Sequence, residues 1–260
     1  MARRIKPVGH EEHLTVVDHL DELRSRIIVS LLAIGVAFGL CAWQSDLILD
    51  VLKEPIGNTL GGKEPVTLGV AEQFTTTLTV SLYAAILIAL PVVLYQAYAF
   101  VLPAFSPTER KVALPLLLMV PVLFIGGVLF CYFVVLSPAI DFLLSFNGDQ
   151  FDTQLRAREY FSFVALSMIA MGLLFQVPVG ILALTRLGIV TPRQLRRNRR
   201  YAILGCAVLA ALLPTIDPVT LILEMIPLII LYELSILLAQ AFGTPAEVAE
   251  PPEPAAEGSQ

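Results

Sequence analysis

Charged side chains are scarce in this sequence of 260 residues, and their scarcity excludes most classes of soluble protein. Only 15% of the residues are Asp, Glu, Lys or Arg, 57% are hydrophobic, and the mean hydropathy is +0.79. Two long runs, Gln73 to Thr108 and Val112 to Ile140, contain no charged residue at all. A chain of this length and composition is typical of a polytopic membrane protein.

Residues and motifs that build metal centres, disulfides and catalytic sites are also few or absent. The three cysteines lie in apolar runs, which favours a packing role, and the three histidines lie in the polar N-terminal segment without the spacing of metal ligands. The sequence has no GxSxG, HExxH or Walker motif and no paired intramembrane aspartates. We therefore expect no enzyme, no cofactor and no use of ATP by this chain.

The N-terminal segment is polar, and its pattern predicts an interfacial helix. No cleavable signal peptide is predicted, because the first apolar run begins only at Ile27 and no small-residue cleavage site follows it. From Leu14 to Ile27, the residues Val16, Leu20 and Leu23 continue one apolar stripe to Ile27. The stripe indicates a helix that lies in the headgroup zone and turns into the first span.

Six apolar stretches predict an all-α fold with six transmembrane helices. They cover 27–45, 74–101, 112–136, 161–184, 201–216 and 219–242. The fifth offers only 16 uncharged residues, roughly 24 Å of helix, so spans five and six should be short. We expect one membrane domain over residues 1–242 and a disordered, acidic C-terminal tail over 243–260.

Prolines lie inside several of the predicted spans and should distort them. Pro91 should bend span two, whereas Pro115 and Pro121 should interrupt the hydrogen bonds of span three. In span four, Gln176 precedes Pro178 by two residues. An unpaired amide in hydrocarbon costs a few kcal/mol, so Gln176 should face protein or a wet cavity.

Turn and cap signals mark the segments between the spans. Ser106, followed by Pro107 and by Glu109 three residues after the cap, predicts a capping box before span three, which by itself would explain Glu109. Thr191 and Gln194 repeat this pattern before a short basic helix. A further amphipathic helix is predicted at 47–52, between spans one and two.

The basic residues predict the orientation in the membrane. Thirteen of the 17 lysines and arginines lie in the N-terminal segment, in the hinge at 100–111, or in the loop at 186–200, and four lie in the opposite loops. By the positive-inside rule, both termini, the hinge and the basic loop should be cytoplasmic.

Several motifs, in order along nearly the whole chain up to Phe242, resemble the TatC family, the large subunit of the twin-arginine (Sec-independent) protein translocase. They are His19-Leu-x-Glu-Leu-Arg24, Pro91-Val-Val-Leu-Tyr-Gln96, Phe100-x-x-Pro-Ala104, Glu109-Arg110, Phe133-Val-Val, Phe175-x-Val-Pro178, and Asp217 before a proline-broken last helix. The resemblance implies a receptor in the cytoplasmic (inner) membrane for the signal peptides of folded proteins. It also implies assembly with the single-span subunits TatA and TatB and with other copies of itself, and export driven by the proton-motive force.

The same resemblance places signal-peptide binding on Glu22 and Glu109, with Arg24, Phe100 and Arg110 nearby. Carboxylates suit this task, because a guanidinium binds a carboxylate through two hydrogen bonds. Glu22 and Glu109 should therefore lie together at one rim of the membrane domain.

Three further positions follow from the resemblance as contacts for partner helices or as structural residues: Pro55, Gln176 and Asp217. The family often has glutamate where this chain has Gln176, so hydrogen bonding, not titration, is expected there. Glu224 has no counterpart in the family pattern. At mid-membrane a carboxylate costs about 2.5 to 3.5 kcal/mol, so Glu224 should lie near the outer surface, face the concave side, or be protonated.

Simpler interpretations stand beside these. Glu22 lies four residues before Arg26 and could be only its helical partner, and Phe100 could only anchor the interface. The Arg193 to Arg200 cluster is better explained as a determinant of topology that contacts anionic lipid than as a nucleic-acid site.

The alternative function is a secondary transporter of small solutes, which would need inverted repeats and several intramembrane charges. The sequence has neither.

Overall fold

The structure, a computed structural model, describes residues 16–57, 64–101, 110–146, 154–186, 188–214 and 217–242. Most residues in these ranges are helical, and the described residues form ten α-helices. They are α1 (Val16–Trp43), α2 (Ser45–Lys53), α3 (Glu72–Val101), α4 (Arg110–Phe130), α5 (Leu136–Ser145), α6 (Ala157–Leu174), α7 (Val177–Arg186), α8 (Pro192–Arg197), α9 (Arg199–Ala211) and α10 (Pro218–Phe242). A 3₁₀ turn (Glu54–Ile56) follows α2, and a π-helical turn (Cys131–Val135) joins α4 to α5. The predicted tail and the predicted capping box at Ser106 to Glu109 lie outside the described residues.

Five stretches of these helices are long and apolar enough to cross a membrane, so the prediction of a polytopic all-α protein is confirmed. They are His19–Trp43, Glu72–Phe100, Leu118–Ser145, Ala157–Arg186 and Pro218–Gln240. The predicted span five corresponds to α9, which has only 13 residues. Its length of about 20 Å is less than a bilayer core of about 30 Å, and the count of six spans stays a prediction.

The N-terminal region differs from the predicted interfacial helix that turns into a span. The structure has one uninterrupted helix, α1, from Val16 to Trp43. No proline or glycine occurs between Val16 and Ala33 to stop a helix. The apolar stripe before Ile27 therefore continues directly into span one.

Span three also departs from expectation. Helix α4 runs through Pro115 and Pro121 without interruption, and the irregular hydrogen bonding occurs later, in the π-helical turn. There the Leu136 N–H donates to the Cys131 carbonyl, five residues back. Pro138 has no N–H to offer, so a change of hydrogen-bond register just before it lets the helix continue to Ser145 instead of ending.

The central helices pack closely because two glycines lie where α4 crosses α6. A Cβ on Gly127 would lie 2.7 Å from the ring of Phe175, and one on Gly172 would lie 2.6 Å from the ring of Phe124. Small residues of this kind allow close helix approach in membranes, where packing replaces the hydrophobic effect. The three cysteines are free and buried, which confirms their predicted packing role.

The predicted amphipathic helix after span one is confirmed as α2, and tyrosines fix its C-terminal end. The Tyr160 hydroxyl donates to the Leu52 carbonyl over 2.7 Å, and the Tyr132 hydroxyl lies 2.8 Å from the Val51 carbonyl. Pro55 is buried in the 3₁₀ turn that follows. In this structure, Pro55 thus occupies a structural position in a turn that packs against the protein core.

Candidate functional site

Glu22, Arg26 and Gln96 form a polar cluster between the N-terminal half of α1 and the C-terminal end of α3. Arg26 Nε donates to Glu22 Oε1 over 3.0 Å, and a second guanidinium nitrogen of Arg26 contacts the same oxygen. Arg26 Nη1 donates to Gln96 Oε1, also over 3.0 Å. The side chains of Glu22 and Arg26 are 29% and 24% exposed, so solvent reaches the pair. The helical pairing of Glu22 with Arg26 expected from their spacing is confirmed.

An aromatic contact lies beside this pair. The imidazole of His19 stacks on the ring of Phe100 with the ring centroids 4.3 Å apart and the planes inclined by 16°. His19 lies one helical turn before Glu22, and Phe100 one turn after Gln96. We call these five residues, His19, Glu22, Arg26, Gln96 and Phe100, the rim cluster.

The structure brings some of the predicted site residues to the rim cluster and leaves others unplaced. Glu22 and Phe100 belong to it, and Arg24 is exposed on the same helix. Glu109 lies outside the described residues, and of Arg110 only the helical backbone at the start of α4 is described. The proximity of Glu22 and Glu109 therefore stays a prediction.

The chemistry of the rim cluster suits a cationic ligand with two or more N–H donors. Both contacts from Arg26 are to Glu22 Oε1, and the Glu22 carboxylate accepts no other hydrogen bond among the described residues. A carboxylate accepts through about four lone-pair sites, so Oε2 has capacity for an incoming guanidinium. No three His, Cys, Asp or Glu side chains among the described residues come together as a metal site.

A second Glu–Arg pair lies at the opposite end of α3. Glu72 begins that helix, 24 residues or about 36 Å from Gln96. Arg156 Nε donates to Glu72 Oε1 over 2.6 Å, and the N–H groups of Leu68 and Gly69 donate to Glu72 Oε2 over 2.8 and 2.9 Å. The hydrogen bond to Glu72 raises the pKa of the Arg156 guanidinium. A backbone bridge between Val66 and Arg156 ties the same two segments together.

Gln176 is placed as expected, inside the protein at a break in span four. The residue is only 7% exposed and lies between α6 and α7, where the helix stops at Leu174 and resumes at Val177. Its amide nitrogen donates to the Val120 carbonyl of α4 over 3.2 Å. Its carbonyl oxygen, also buried, has no hydrogen-bond partner among the described residues.

The two acidic residues near the start of α10 are both buried. Asp217 caps this helix, because its Oδ1 accepts the Thr220 N–H over 2.8 Å. Glu224, one and a half turns into the helix, is 1% exposed. The side chain of Glu224 therefore lies among packed helices. Its position near the outer surface of the membrane or on the concave side, and its protonation, stay predictions.

Four residues of these sites were not anticipated from the sequence: His19, Gln96, Glu72 and Arg156. His19 and Gln96 both lie in motifs that resemble those of the family, but the sequence alone does not indicate which residues their side chains contact. Glu72 and Arg156 did carry a signal. Glu72 stands directly before a long uncharged run and Arg156 stands four residues before another, so the topology predicts that both lie where spans enter the membrane.

Comparison with known proteins gives consistent matches over nearly the whole chain. The family described as Sec-independent protein translocase protein (TatC) matches residues 18–227. Proteins named Sec-independent protein translocase protein TatC are 35% identical in Desulforapulum autotrophicum, covering 96% of this chain and 92% of that protein, and 36% identical in Aquifex aeolicus, covering 87% and 95%. A chloroplastic relative from Arabidopsis thaliana is 38% identical over 88% of this chain and 67% of its own length. A crystal structure described as twin arginine translocase receptor TatC in DDM superposes with a TM-score of 0.73 at 37% identity, covering 85% of this chain and 98% of that one.

Proposed function

Because the chain belongs to the TatC family of Sec-independent protein translocase proteins, we propose that it is the signal-peptide receptor and core subunit of a twin-arginine translocase. In this role it is a non-enzymatic membrane protein. It recognises the paired arginines in the signal peptides of folded proteins, which then cross the cytoplasmic membrane at the expense of the proton-motive force.

One observation carries the assignment of the binding site, namely the environment of Glu22. Its carboxylate is partly exposed at the end of the helix bundle and already binds a guanidinium, that of Arg26, through one oxygen only. A signal-peptide arginine offers the same donors and can bind the free oxygen or replace Arg26. Phe100, stacked on His19 beside this carboxylate, supplies an apolar face for the residues that flank the two arginines. Glu109, Arg24 and Arg110 complete the proposed site.

Charge reversal at the two glutamates tests this site. We expect Glu22→Lys and Glu109→Lys to lose photo-crosslinking of a peptide with an Arg-Arg motif, because a lysine repels the guanidinium that the carboxylate attracts. The protein should still insert and elute normally in detergent. A peptide with Lys-Lys should crosslink weakly to the unmodified protein, since lysine cannot form the two-pronged contact.

Asp21→Lys is the matched control, because Asp21 is an exposed residue of the same helix and undergoes the same change of charge. Crosslinking to this variant should stay near that of the unmodified protein. If Asp21→Lys lost the peptide as fully as Glu22→Lys does, general charge attraction would replace the proposed site. Full crosslinking to both glutamate variants would also contradict it.

We further propose that both termini lie in the cytoplasm, which requires α9 and its flanking residues to cross as a short sixth span. The distribution of lysine and arginine supports this orientation. A single cysteine introduced as Ser259→Cys should react with an impermeant maleimide only after the cells are opened. The native cysteines give a low background because all three are buried. Labelling of intact cells from outside would rule out six spans with both termini in the cytoplasm.

The partners proposed for this chain are the single-span subunits TatA and TatB and other copies of itself. Gln176 is proposed from the family resemblance to lie near a partner helix, and its own buried amide donates to the Val120 carbonyl at the break in span four. Asp217 and Pro55 are proposed to act indirectly, by fixing the start of α10 and the turn after α2. The family membership does not favour the alternative of a solute transporter.

A further inference from the structure

An open cavity of about 690 Å³ lies at the junction of α8 and α9. Its walls are polar and cationic, and they are formed by Gln194, Arg197, Asn198, Arg200 and Tyr201. We call it the arginine cavity. It is separate from the rim cluster and from the other proposed contact residues, none of which lines it.

The arginines of this region divide into two groups. Arg196 and Arg199 hold the junction against α10, the first by donating to Gln240 and the second by pairing with Glu233, each over 2.6 Å. Arg197 and Arg200 instead line the cavity, and neither has a carboxylate within 4 Å among the described residues. Two guanidinium groups facing one cavity repel each other, and an anion between them would relieve that repulsion.

The backbone adds to the positive character of the arginine cavity. Helix α9 begins at Arg199, and its cap residue, Asn198, makes no side-chain capping bond. The N–H groups of the first turn of a helix have no partner within the helix and carry partial positive charge. The N–H groups of Tyr201 and Ala202 already donate to the Asn198 carbonyl, so what the start of α9 adds next to the two arginines is partial positive charge.

The cavity lies at the boundary of the apolar part of the molecule. Gln240, which Arg196 contacts, is the last residue of the candidate span in α10. From the cavity an exposed apolar stripe follows α9 with helical spacing. It consists of Tyr201, Leu204, Val208 and Leu212, which are 76%, 62%, 53% and 76% exposed. Tyr201 belongs to both the cavity wall and the stripe, so the polar site continues into an apolar surface.

We propose that the arginine cavity binds the phosphate of an anionic glycerophospholipid, with one acyl chain along the stripe on α9. Arginine binds phosphate through paired hydrogen bonds, and basic pockets at membrane helix ends bind anionic headgroups. A free phosphate would use the cavity alone, whereas a phospholipid uses both the cavity and the adjoining stripe. The combination therefore favours the lipid.

Lipid binding to the purified full-length protein tests the proposal. Native mass spectrometry in detergent would be titrated with dioleoylphosphatidylglycerol, with dioleoylphosphatidylcholine in parallel. Arg197→Gln and Arg200→Gln should each weaken phosphatidylglycerol binding about fivefold. The control Arg193→Gln removes the same charge from an exposed residue of α8 outside the cavity and should change binding less than twofold. Melting temperatures should be unchanged in all three variants.

Several results would overturn the proposal. They are an equal loss of binding in Arg193→Gln, no loss in the two cavity variants, equally tight binding of phosphatidylcholine, or displacement of the lipid by an equal concentration of inorganic phosphate. A photoreactive residue introduced at Val208, and activated in membranes, shows what covers the stripe on α9. Adducts with lipid support the proposal, whereas an adduct with a single-span protein alone assigns the stripe to a partner helix and contradicts it.

Discussion

The two Glu–Arg pairs at the ends of α3 are made of the same residue types but are built differently. Glu72 is 5% exposed in its side chain, accepts two backbone N–H groups, and pairs with an arginine 84 residues away in sequence. The side chain of Glu22 is 29% exposed, its carboxylate accepts no backbone N–H among the described residues, and it pairs with Arg26 on the same helix. The first pair holds two distant segments together, whereas the second leaves a carboxylate oxygen available to bind a ligand.

The surroundings of the two pairs differ in the same direction. Arg156 directly precedes the span formed by α6 and α7, and 50% of the residues in the most apolar part of that span are buried. Glu22 and Arg26 lie on α1, where the corresponding share is only 11%. A group that must exchange partners needs solvent access and few competing contacts, and a group that fixes two segments needs the reverse. The comparison therefore assigns ligand exchange to the rim cluster and stability to Glu72 and Arg156.

Breaking the Glu72–Arg156 pair should have the largest effect on stability. In Glu72→Gln the carboxylate is lost, the N–H groups of Leu68 and Gly69 share a weaker acceptor, and Arg156 loses its closest partner. We expect the melting temperature in detergent to fall by about 6 °C. Signal-peptide crosslinking at temperatures well below the melting point should be unaffected.

Glu159→Gln is the control for that experiment. Glu159 also contacts Arg156, at 3.6 Å, but its side chain is 73% exposed. An exposed ion pair contributes little, so we expect a change of less than about 1 °C. Equal shifts in the two variants would show that burial of Glu72 does not distinguish the pairs.

A methyl group at the crossing of α4 and α6 should have a smaller effect. In Gly172→Ala the new Cβ would lie 2.6 Å from the ring of Phe124, which is 1% exposed and would have to shift. Overpacking of this kind costs about 2 kcal/mol, or about 4 °C in melting temperature. Gly126→Ala should be close to neutral, since no atom lies within 4 Å of its Cβ. An unchanged melting temperature of Gly172→Ala would mean that the crossing of α4 and α6 is less rigid than its contacts indicate.

Local rules were enough to predict much of this fold. Uncharged runs located three of the five candidate spans to within four residues of each end, and the Thr191 and Gln194 capping box formed as expected, with both of its hydrogen bonds present. These features depend on helix length and on residues three apart, and both are read directly from the sequence. The local pairing of Glu22 with Arg26 was predictable for the same reason.

Features that depend on distant residues or on small shifts of register were missed. Gln96 meets Arg26 across 70 residues, and Arg156 meets Glu72 across 84. Proline was also a poor guide to the break in span three, because α4 accommodates Pro115 and Pro121 while the π-helical turn forms ahead of Pro138. Such outcomes depend on which neighbouring groups form hydrogen bonds with the backbone, and a single sequence does not specify those groups.

The smallest expected effect concerns the exchange of partners at Glu22, which is the property that distinguishes the two Glu–Arg pairs. Arg26→Gln removes the guanidinium that occupies Glu22 Oε1 but leaves the carboxylate in place. An exposed helical pair of this kind stabilises by about 0.5 kcal/mol, so an Arg-Arg peptide that no longer competes with Arg26 should bind about twofold more tightly, and the melting temperature should fall by no more than about 2 °C. Fluorescence anisotropy with a labelled signal peptide would measure this, and Arg193→Gln, which removes the same charge from an exposed arginine of α8 outside the proposed site, gives the comparison. Weaker binding to Arg26→Gln would mean that Arg26 holds Glu22 in its binding position, and the rim pair would then resemble Glu72 and Arg156 more than its exposure suggests.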